Sequence, residues 1–312
     1  MDIKQLRAFL AIADTGSITR ASETLHLAQP ALSRQLRMLE EDLGTPLFER
    51  TPRGMELTDA GSRLIERARR ALREIDGART EIVVASPGAV RGTVDLGLLT
   101  SQSELIAAPL VAALRASHPE LMLRIYTGYS DRLREWLENG EVGLAMLTDY
   151  KTSSQLDMQP LFVEQLCLVG GPRSEDLGKA PIGLQCLVTL PLILPVFYRG
   201  LRLILDHASE ARGIKLNVVA ETNDTRVQKA MAEQGLGFAV LPMSSVASAV
   251  DSGSLKATPI AGEELQRRTG LAVSMMRRNS LAVRAVANEL TALTQAMIQD
   301  GRWPGATWLG RS

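Results

Sequence analysis

Cysteine is nearly missing. Only Cys167 and Cys186 occur in 312 residues, far apart and outside any Cys-x-x-Cys pattern, which excludes a disulfide framework and a thiolate metal cluster. Each lies among apolar neighbours, so packing in a core is the expected role of both. Histidine is as scarce: His26, His118 and His207 are scattered without metal-ligand spacing, and no metal is expected. No Gly-x-Ser-x-Gly elbow occurs, and Gly235-Leu-Gly237 precedes a strand pattern instead of opening a helix, so it reads as a turn; no cofactor is expected. Net charge is lacking too. With 35 basic and 35 acidic residues, any polyanion partner must be met by a local patch. The longest apolar runs, such as Leu105 to Leu114, fall far short of the ~20 residues that cross a bilayer, which argues against a membrane partner. The opening Met-Asp-Ile-Lys lacks the layout of a secretory signal, so a cytoplasmic location is expected.

What the chain does have is apolar mass: 45% hydrophobic against 22% charged residues, enough over 312 positions for more than one domain. The most informative stretch lies near the start. Ser17 and Gln29-Pro30 are helix starts, the first by capping free N–H groups and the second because proline fits a first turn; Gly44 is a stop. On a period of 3.6, residues 29 to 43 place Leu32, Leu36, Leu39 and Leu43 on one stripe and Pro30, Ser33, Arg34 and Arg37 on the other face. Leu6, Phe9, Leu10 and Ala13, then Ile18, Ala21 and Leu25, mark two further helices that share this core. Leu47 to Arg50 and Met55 to Leu57 read as short strands around Thr51-Pro-Arg53-Gly54.

A winged helix-turn-helix over 1–57 is the prediction, with double-stranded DNA as partner. Arg34 and Arg37 suit guanine acceptors or phosphate, Ser33 is a short adaptable contact, and Gln29 at the helix start reaches a base edge, with Pro30 beside it. Arg50 and Arg53 belong to the wing, near backbone or minor groove. Singly each arginine reads as a solvated charge; their joint placement argues otherwise. The first 57 residues carry seven basic and eight acidic side chains, so the patch is local, and Glu40-Glu41-Asp42 reads as solvated.

Thr58 can cap a linker helix over 58–87, in which Leu64, Ala68, Ala71, Ile75, Ala78 and Ile82 recur at spacings of four and three, with Ile65 and Leu72 beside them. The expectation is a dimerisation seam, preferred over packing on its own domain, which would present two recognition helices to a roughly palindromic site. Ser86-Pro87-Gly88 and Arg91-Gly92 read as a hinge.

Beyond it, strands alternate with helices: Val94 to Leu99, Leu105 to Ala116, Leu121 to Thr127, Arg132 to Glu138 and Gly143 to Leu147. A second set has strands near Leu166 to Gly170, Leu190 to Leu194, Leu216 to Glu221 and Phe238 to Leu241, and helices near Leu201 to Arg212 and Thr225 to Gln234. Leu271 to Met275 and Leu281 to Met297 then return to the first set, and the last dozen residues read as loosely packed.

The run Ala-Ser-Glu-Thr-Leu-His-Leu-Ala-Gln-Pro-Ala-Leu-Ser-Arg-Gln-Leu-Arg-Met-Leu-Glu-Glu-Asp-Leu-Gly-Thr-Pro-Leu-Phe-Glu-Arg, from Ala21 to Arg50, resembles the N-terminal signature of LysR-type transcriptional regulators. Ala28, where a hydroxyl residue is common in that family, and Ser22, where alanine is common, depart from it. The resemblance implies a multi-domain α/β protein: the winged helix-turn-helix, a long linker helix, and a two-lobed Rossmann-like effector domain over 88–312, similar to periplasmic binding proteins. Lobe I is expected at about 91–163 and 268–300, and lobe II at about 164–267. It also implies a homotetramer built as a dimer of dimers, bending of promoter DNA, and an effect on RNA polymerase.

In open α/β sheets ligands settle where strands end and helices begin. Such turns here hold Thr100, Ser101 and Gln102; Tyr129 and Ser130; Thr148; Phe197 and Arg199; and Thr222 and Asn223. The resemblance places these turns around the effector cleft, with Ser101 and Ser130 at positions where hydroxyls hold a ligand carboxylate. A small, carboxylate-bearing or otherwise polar metabolite is the expected effector. Arg199 could pair with it, whereas Arg202 reads as a surface helix charge. The competing functions are an enzyme of α/β fold, which lacks the catalytic motifs, and a free solute-binding protein, which has no use for residues 1–57.

Overall fold

Asp2 opens the first helix, α1 (Ile3–Thr15): its side chain accepts the Gln5 N–H while the Gln5 side chain accepts the Asp2 N–H, and Gly16 ends the helix at φ 63°. Ser17 caps α2 (Ile18–Thr24) through the Arg20 N–H at 3.4 Å. In α3 (Gln29–Leu43), Ala28 supplies no side-chain cap, so the start rests on Pro30, and Gly44 closes the helix at φ 67°. The wing pairs β1 (Phe48–Thr51) antiparallel with β2 (Gly54–Leu57). Gly54 is required there: φ is 128°, and a Cβ would overlap the Gly16 carbonyl oxygen, which accepts the Met55 N–H at 2.9 Å. Thr58 caps α4 (Asp59–Val83) through the Gly61 N–H at 3.0 Å.

The computed structural model describes residues 1–52, 54–83, 90–148, 153–175, 177–178, 180–196 and 200–310, without the side chains of 73, 74 and 76–83. They fall into two units, Met1–Pro87 and Gly88–Ser312. The first has one core, in which Leu6, Phe9, Ile12, Leu32, Leu36, Leu39, Leu47 and Phe48 are buried. Three sequence readings are corrected here. Leu43 is 40% exposed, because α3 runs past the core it covers. Glu40 is not merely solvated; it accepts the Leu47 N–H at 2.8 Å and ties α3 to the wing. Ala68 is 1% exposed inside this core, with Leu64 and Ala71 packed against it, so the first half of the expected dimer seam is taken up by its own domain. Ile75 is half-buried, while the side chains of Ala78 and Ile82 and the hinge at 86–88 lie outside the described residues.

The second unit follows a βα rhythm: β3 (Gly92–Leu99), α5 (Thr100–Ser117), β4 (Leu121–Gly128), α6 (Ser130–Glu138) and β5 (Leu144–Thr148), with β3 between β4 and β5 and parallel to both. Then comes β6 (Leu156–Gly170), far longer than the expected strand at 166–170. The second lobe holds β7 (Leu192–Pro195), α7 (Leu201–Glu210), β8 (Val218–Thr222), α8 (Thr225–Glu233), β9 (Phe238–Pro242), α9 (Ala247–Asp251) and β10 (Lys256–Pro259). The chain returns along β11 (Gln266–Ser274) to α10 (Leu281–Gln299) and β12 (Ala306–Trp308).

β6 belongs to both lobes. Residues 156–165 pair antiparallel with β11, and 166–170 pair with β9 and β10. One lobe's core includes Val94, Leu96, Ile106, Leu144 and Val286, the other's Leu166, Leu187, Leu194, Leu205 and Val240. The end of the chain is not loosely packed. Trp303 is 1% exposed against Phe162, ring centroids 4.8 Å apart, and β12 pairs with β6. Of the cysteines, Cys167 is buried and burial pushes its thiol up to about 12, but Cys186 is exposed, against the expectation of packing. Among the described residues no helix is long and apolar enough to cross a membrane, and no cluster of His, Cys, Asp and Glu could hold a metal ion.

Candidate functional site

The surface of α3 opposite its buried leucines is open. Gln29, Pro30, Arg34 and Arg37 are exposed, Ser33 is half-buried, and Leu32, Leu36 and Leu39 lie behind them. Arg50 is exposed on β1, opposite Met55 in the wing. The side chains of Arg34, Arg37 and Arg50 make no ion pair among the described residues, whereas Arg63 and Arg69 are engaged by Asp59 and by Asp14 and Glu66. Arg53 lies outside the described residues.

The second site is a cavity between the lobes of the second unit. Thr100, Ser101, Tyr129, Ser130 and Thr148 line it from one side, Pro195, Gly200, Leu201, Thr225 and Gln228 from the other, and Arg267 closes it. Three helix starts line it, with β3 and β4 ending in register at Leu99 and Gly128: α5, α6 and α7 begin at Thr100, Ser130 and Leu201, all without a side-chain cap. Free first-turn N–H groups and the positive end of each helix favour negative charge. The Ser130 and Thr148 hydroxyls are 2.8 Å apart, and Ser130 Oγ also accepts the Thr148 N–H at 2.7 Å.

Two contacts bridge the lobes near the cavity. The Tyr129 hydroxyl donates to the Asn223 carbonyl at 2.6 Å, and Lys229 Nζ meets Glu104 at 3.2 Å. Burial pushes the Tyr129 phenol up, against a hydrogen bond with Thr225 that lowers it and with the nearby Asp224 adding to the rise.

Not every expected residue joins the lining. Gln102 is fully buried and turned to Glu164 and Thr269, at 3.2 and 3.1 Å. Thr222 accepts the Asp224 N–H at 3.2 Å and closes its own turn, and Asn223 contributes its carbonyl to Tyr129. Phe197 and Arg199 lie outside the described residues. Arg202 is no surface charge: it is 7% exposed and held by Asp206 at 2.8 Å, Glu221 at 2.6 Å and the Pro195 carbonyl at 3.3 Å, so it ties α7 to the ends of β7 and β8.

Thr225, Gln228, Glu164 and Arg267 were not expected from sequence. Glu164 and Arg267 face each other in register across β6 and β11. Burial alone would raise the Glu164 carboxyl, but Arg267, with hydrogen bonds from Ser244 and Trp303, holds it below the usual carboxylate range. One signal was there to be read: a lone acid in the apolar run Leu161-Phe-Val-Glu164-Gln-Leu.

Two family descriptions match the chain. "Bacterial regulatory helix-turn-helix protein, lysR family" covers residues 3–62, and "LysR substrate binding domain" covers residues 87–295. The HTH-type transcriptional regulator BbuR of Bordetella bronchiseptica is 31% identical over 98% of this chain and 94% of its own length. The nitrogen assimilation regulatory protein nac of Escherichia coli is 34% identical over 80% of each chain. Among solved structures, full-length CbnR in complex with its target DNA matches with a TM-score of 0.73 at 24% identity, covering 94% of this chain and all of that one, which shows a shared fold.

Proposed function

Because the chain belongs to the LysR family of transcriptional regulators, with a DNA-binding and an effector-binding domain and no enzymatic role, we propose that it binds promoter DNA in the cytoplasm as an oligomer under the control of a small anionic metabolite. The observation that carries the DNA reading is the outward face of α3, where Arg34 and Arg37 stand exposed and unpaired beside Gln29 and Pro30 while the leucines opposite are buried. Arg50 and Arg53 in the wing then take backbone or minor-groove contacts.

The cavity supports an anionic effector through its hydroxyls, its three uncapped helix starts and Arg267. Thr100, Ser101, Ser130 and Thr148 are the proposed contacts, with Phe197 and Arg199 on the facing lobe. Pairing of two chains is assigned to the later part of the α4 pattern, Ile75, Ala78 and Ile82, since the earlier part packs on its own domain. Two such dimers make the tetramer. Effector binding shifts the spacing of the DNA-binding domains, the bend of the DNA and access of RNA polymerase, with a coupling of ~1–3 kcal/mol.

A mobility shift on DNA upstream of a neighbouring divergent gene, with and without candidate acids, tests this reading. The expected result is a specific shift altered by one of them. A solute receptor or an enzyme would leave every fragment unshifted.

A further inference from the structure

Two of the most deeply buried charges in the molecule meet at the cleft. Arg267 is 5% and Glu164 1% exposed, on the strands along which the chain crosses between lobes. Glu164 engages one edge of the guanidinium: its Oε2 accepts from Nη2 at 2.5 Å and from Nε at 3.1 Å. Nη1 donates instead to the Ser101 hydroxyl at 2.8 Å, and both residues line the cavity.

Tying β6 to β11 does not require this pair, since apolar residues in register do that as well or better. What the pair achieves is a guanidinium edge fixed at the cavity wall. Glu164 is itself fixed from behind, because an ionised carboxylate only accepts and its other neighbours therefore donate: Ser244, Trp303 at 2.9 Å and the Gln102 amide at 3.2 Å. That orientation leaves Gln102 Oε1 buried without a partner.

The charge balance limits the ligand. The Arg267–Glu164 pair is neutral, so a bound monoanion adds one negative charge, met by Nη1, the hydroxyls and the helix starts. A second negative charge would need another cation, and Arg199 on the facing lobe is the one proposed above.

We propose that Arg267 reads the effector, taking one oxygen of a carboxylate on Nη1 while Ser101 turns to the other, and that Glu164 is the positioning residue that holds it there. This rests on the cleft being the effector site. It adds that the reading group sits on a crossover strand, so occupancy acts directly on the strand that joins the lobes.

The test uses the full chain and sodium acetate as probe, with acetamide and sodium chloride at matched concentration and ionic strength, read by thermal unfolding through tryptophan fluorescence. Acetate is expected to raise the midpoint saturably and acetamide is not. The neutral double variant E164Q/R267Q, which leaves no buried charge unpaired, is expected to bind acetate at least about tenfold more weakly, the value of a charge-assisted hydrogen bond. E164Q alone, whose amide oxygen still accepts from Nη2 and Nε and so keeps the guanidinium in place while the competing charge is gone, is expected to bind it more tightly; a purely structural role gives no such gain. R267K, which keeps the charge but not the fork, is expected to bind several-fold more weakly. Wild-type acetate affinity in E164Q/R267Q or R267K, with the response lost in S130A, overturns the assignment of Arg267 and leaves the cleft reading standing. A response that survives in all of these moves the site elsewhere and overturns both. A wild-type chain indifferent to acetate overturns the carboxylate, and no gain in E164Q overturns the charge balance drawn between Glu164 and the ligand.

Discussion

Glu164 and Arg267 are 103 residues apart in sequence and 2.5 Å apart in the fold. Nothing local to either announces the partner, so the pair was legible only as an odd acid in an apolar strand. The same blindness to tertiary partners explains Arg202, whose acids Asp206 and Glu221 come partly from another element, and Cys186, which lies among apolar neighbours in sequence but on the surface in space. Glu164→Ala leaves Arg267 buried without its partner and is expected to lower the stability of the second unit by about 3–5 kcal/mol, read by urea unfolding. The pH dependence has a definite sign. The folded pKa of Glu164 lies below its unfolded value, so its contribution is fully present above the ordinary carboxylate pKa of about 4.3 and is lost as pH falls through the lower folded value. E164Q should therefore flatten the acid limb of the stability curve, and an unchanged limb would rule out this contribution. At the other site, Arg34→Ala is expected to weaken specific DNA binding by ~1–3 kcal/mol in a mobility shift, and wild-type affinity would remove Arg34 from the contact.

At the scale of elements, the helices of the first unit were legible because starts, stops and apolar period agree at Ser17, Pro30 and Gly44. The period of α4 was legible as well, but a period names a face and not what covers it. Ala68 belongs to the core shared with α1 and α3, and the two parts of α4 should separate by mutation. Ala68→Asp is expected to unfold the DNA-binding domain by circular dichroism, since a buried unpaired charge costs several kcal/mol. Ile82→Asp should leave it folded and shift the mass towards monomer in sedimentation; an intact oligomer would move the seam elsewhere.

Pro160 and the polar residues around it speak against a strand before Leu166; the structure accommodates them at a register shift between Thr269 and Gly270, opposite Phe162 and Pro160. The closing segment carries no local signal that Trp303 docks on Phe162 and Glu164. Trp303→Ala is expected to cost ~3–5 kcal/mol in the second unit, measured by the same unfolding.

For the whole molecule, a net charge of zero conceals two charged sites of different design. The proposed DNA face is exposed and, among the described residues, its Arg34, Arg37 and Arg50 make no ion pair, so its affinity should fall steeply with salt as counterions are released. In the proposed effector cleft the Arg267–Glu164 pair is buried and neutral, so effector affinity there should depend on salt far less. The central claim is that α3 and the wing grip duplex DNA. The most direct test is quantitative mobility shift of the full chain on its own upstream region, across a salt series, against Arg34→Ala/Arg37→Ala. The account predicts tight sequence-specific binding by the wild type and, in the double variant, both a loss of specific affinity and a shallower salt slope. Equal affinity and equal slope in the two proteins, or no binding by either to any upstream fragment, would contradict it.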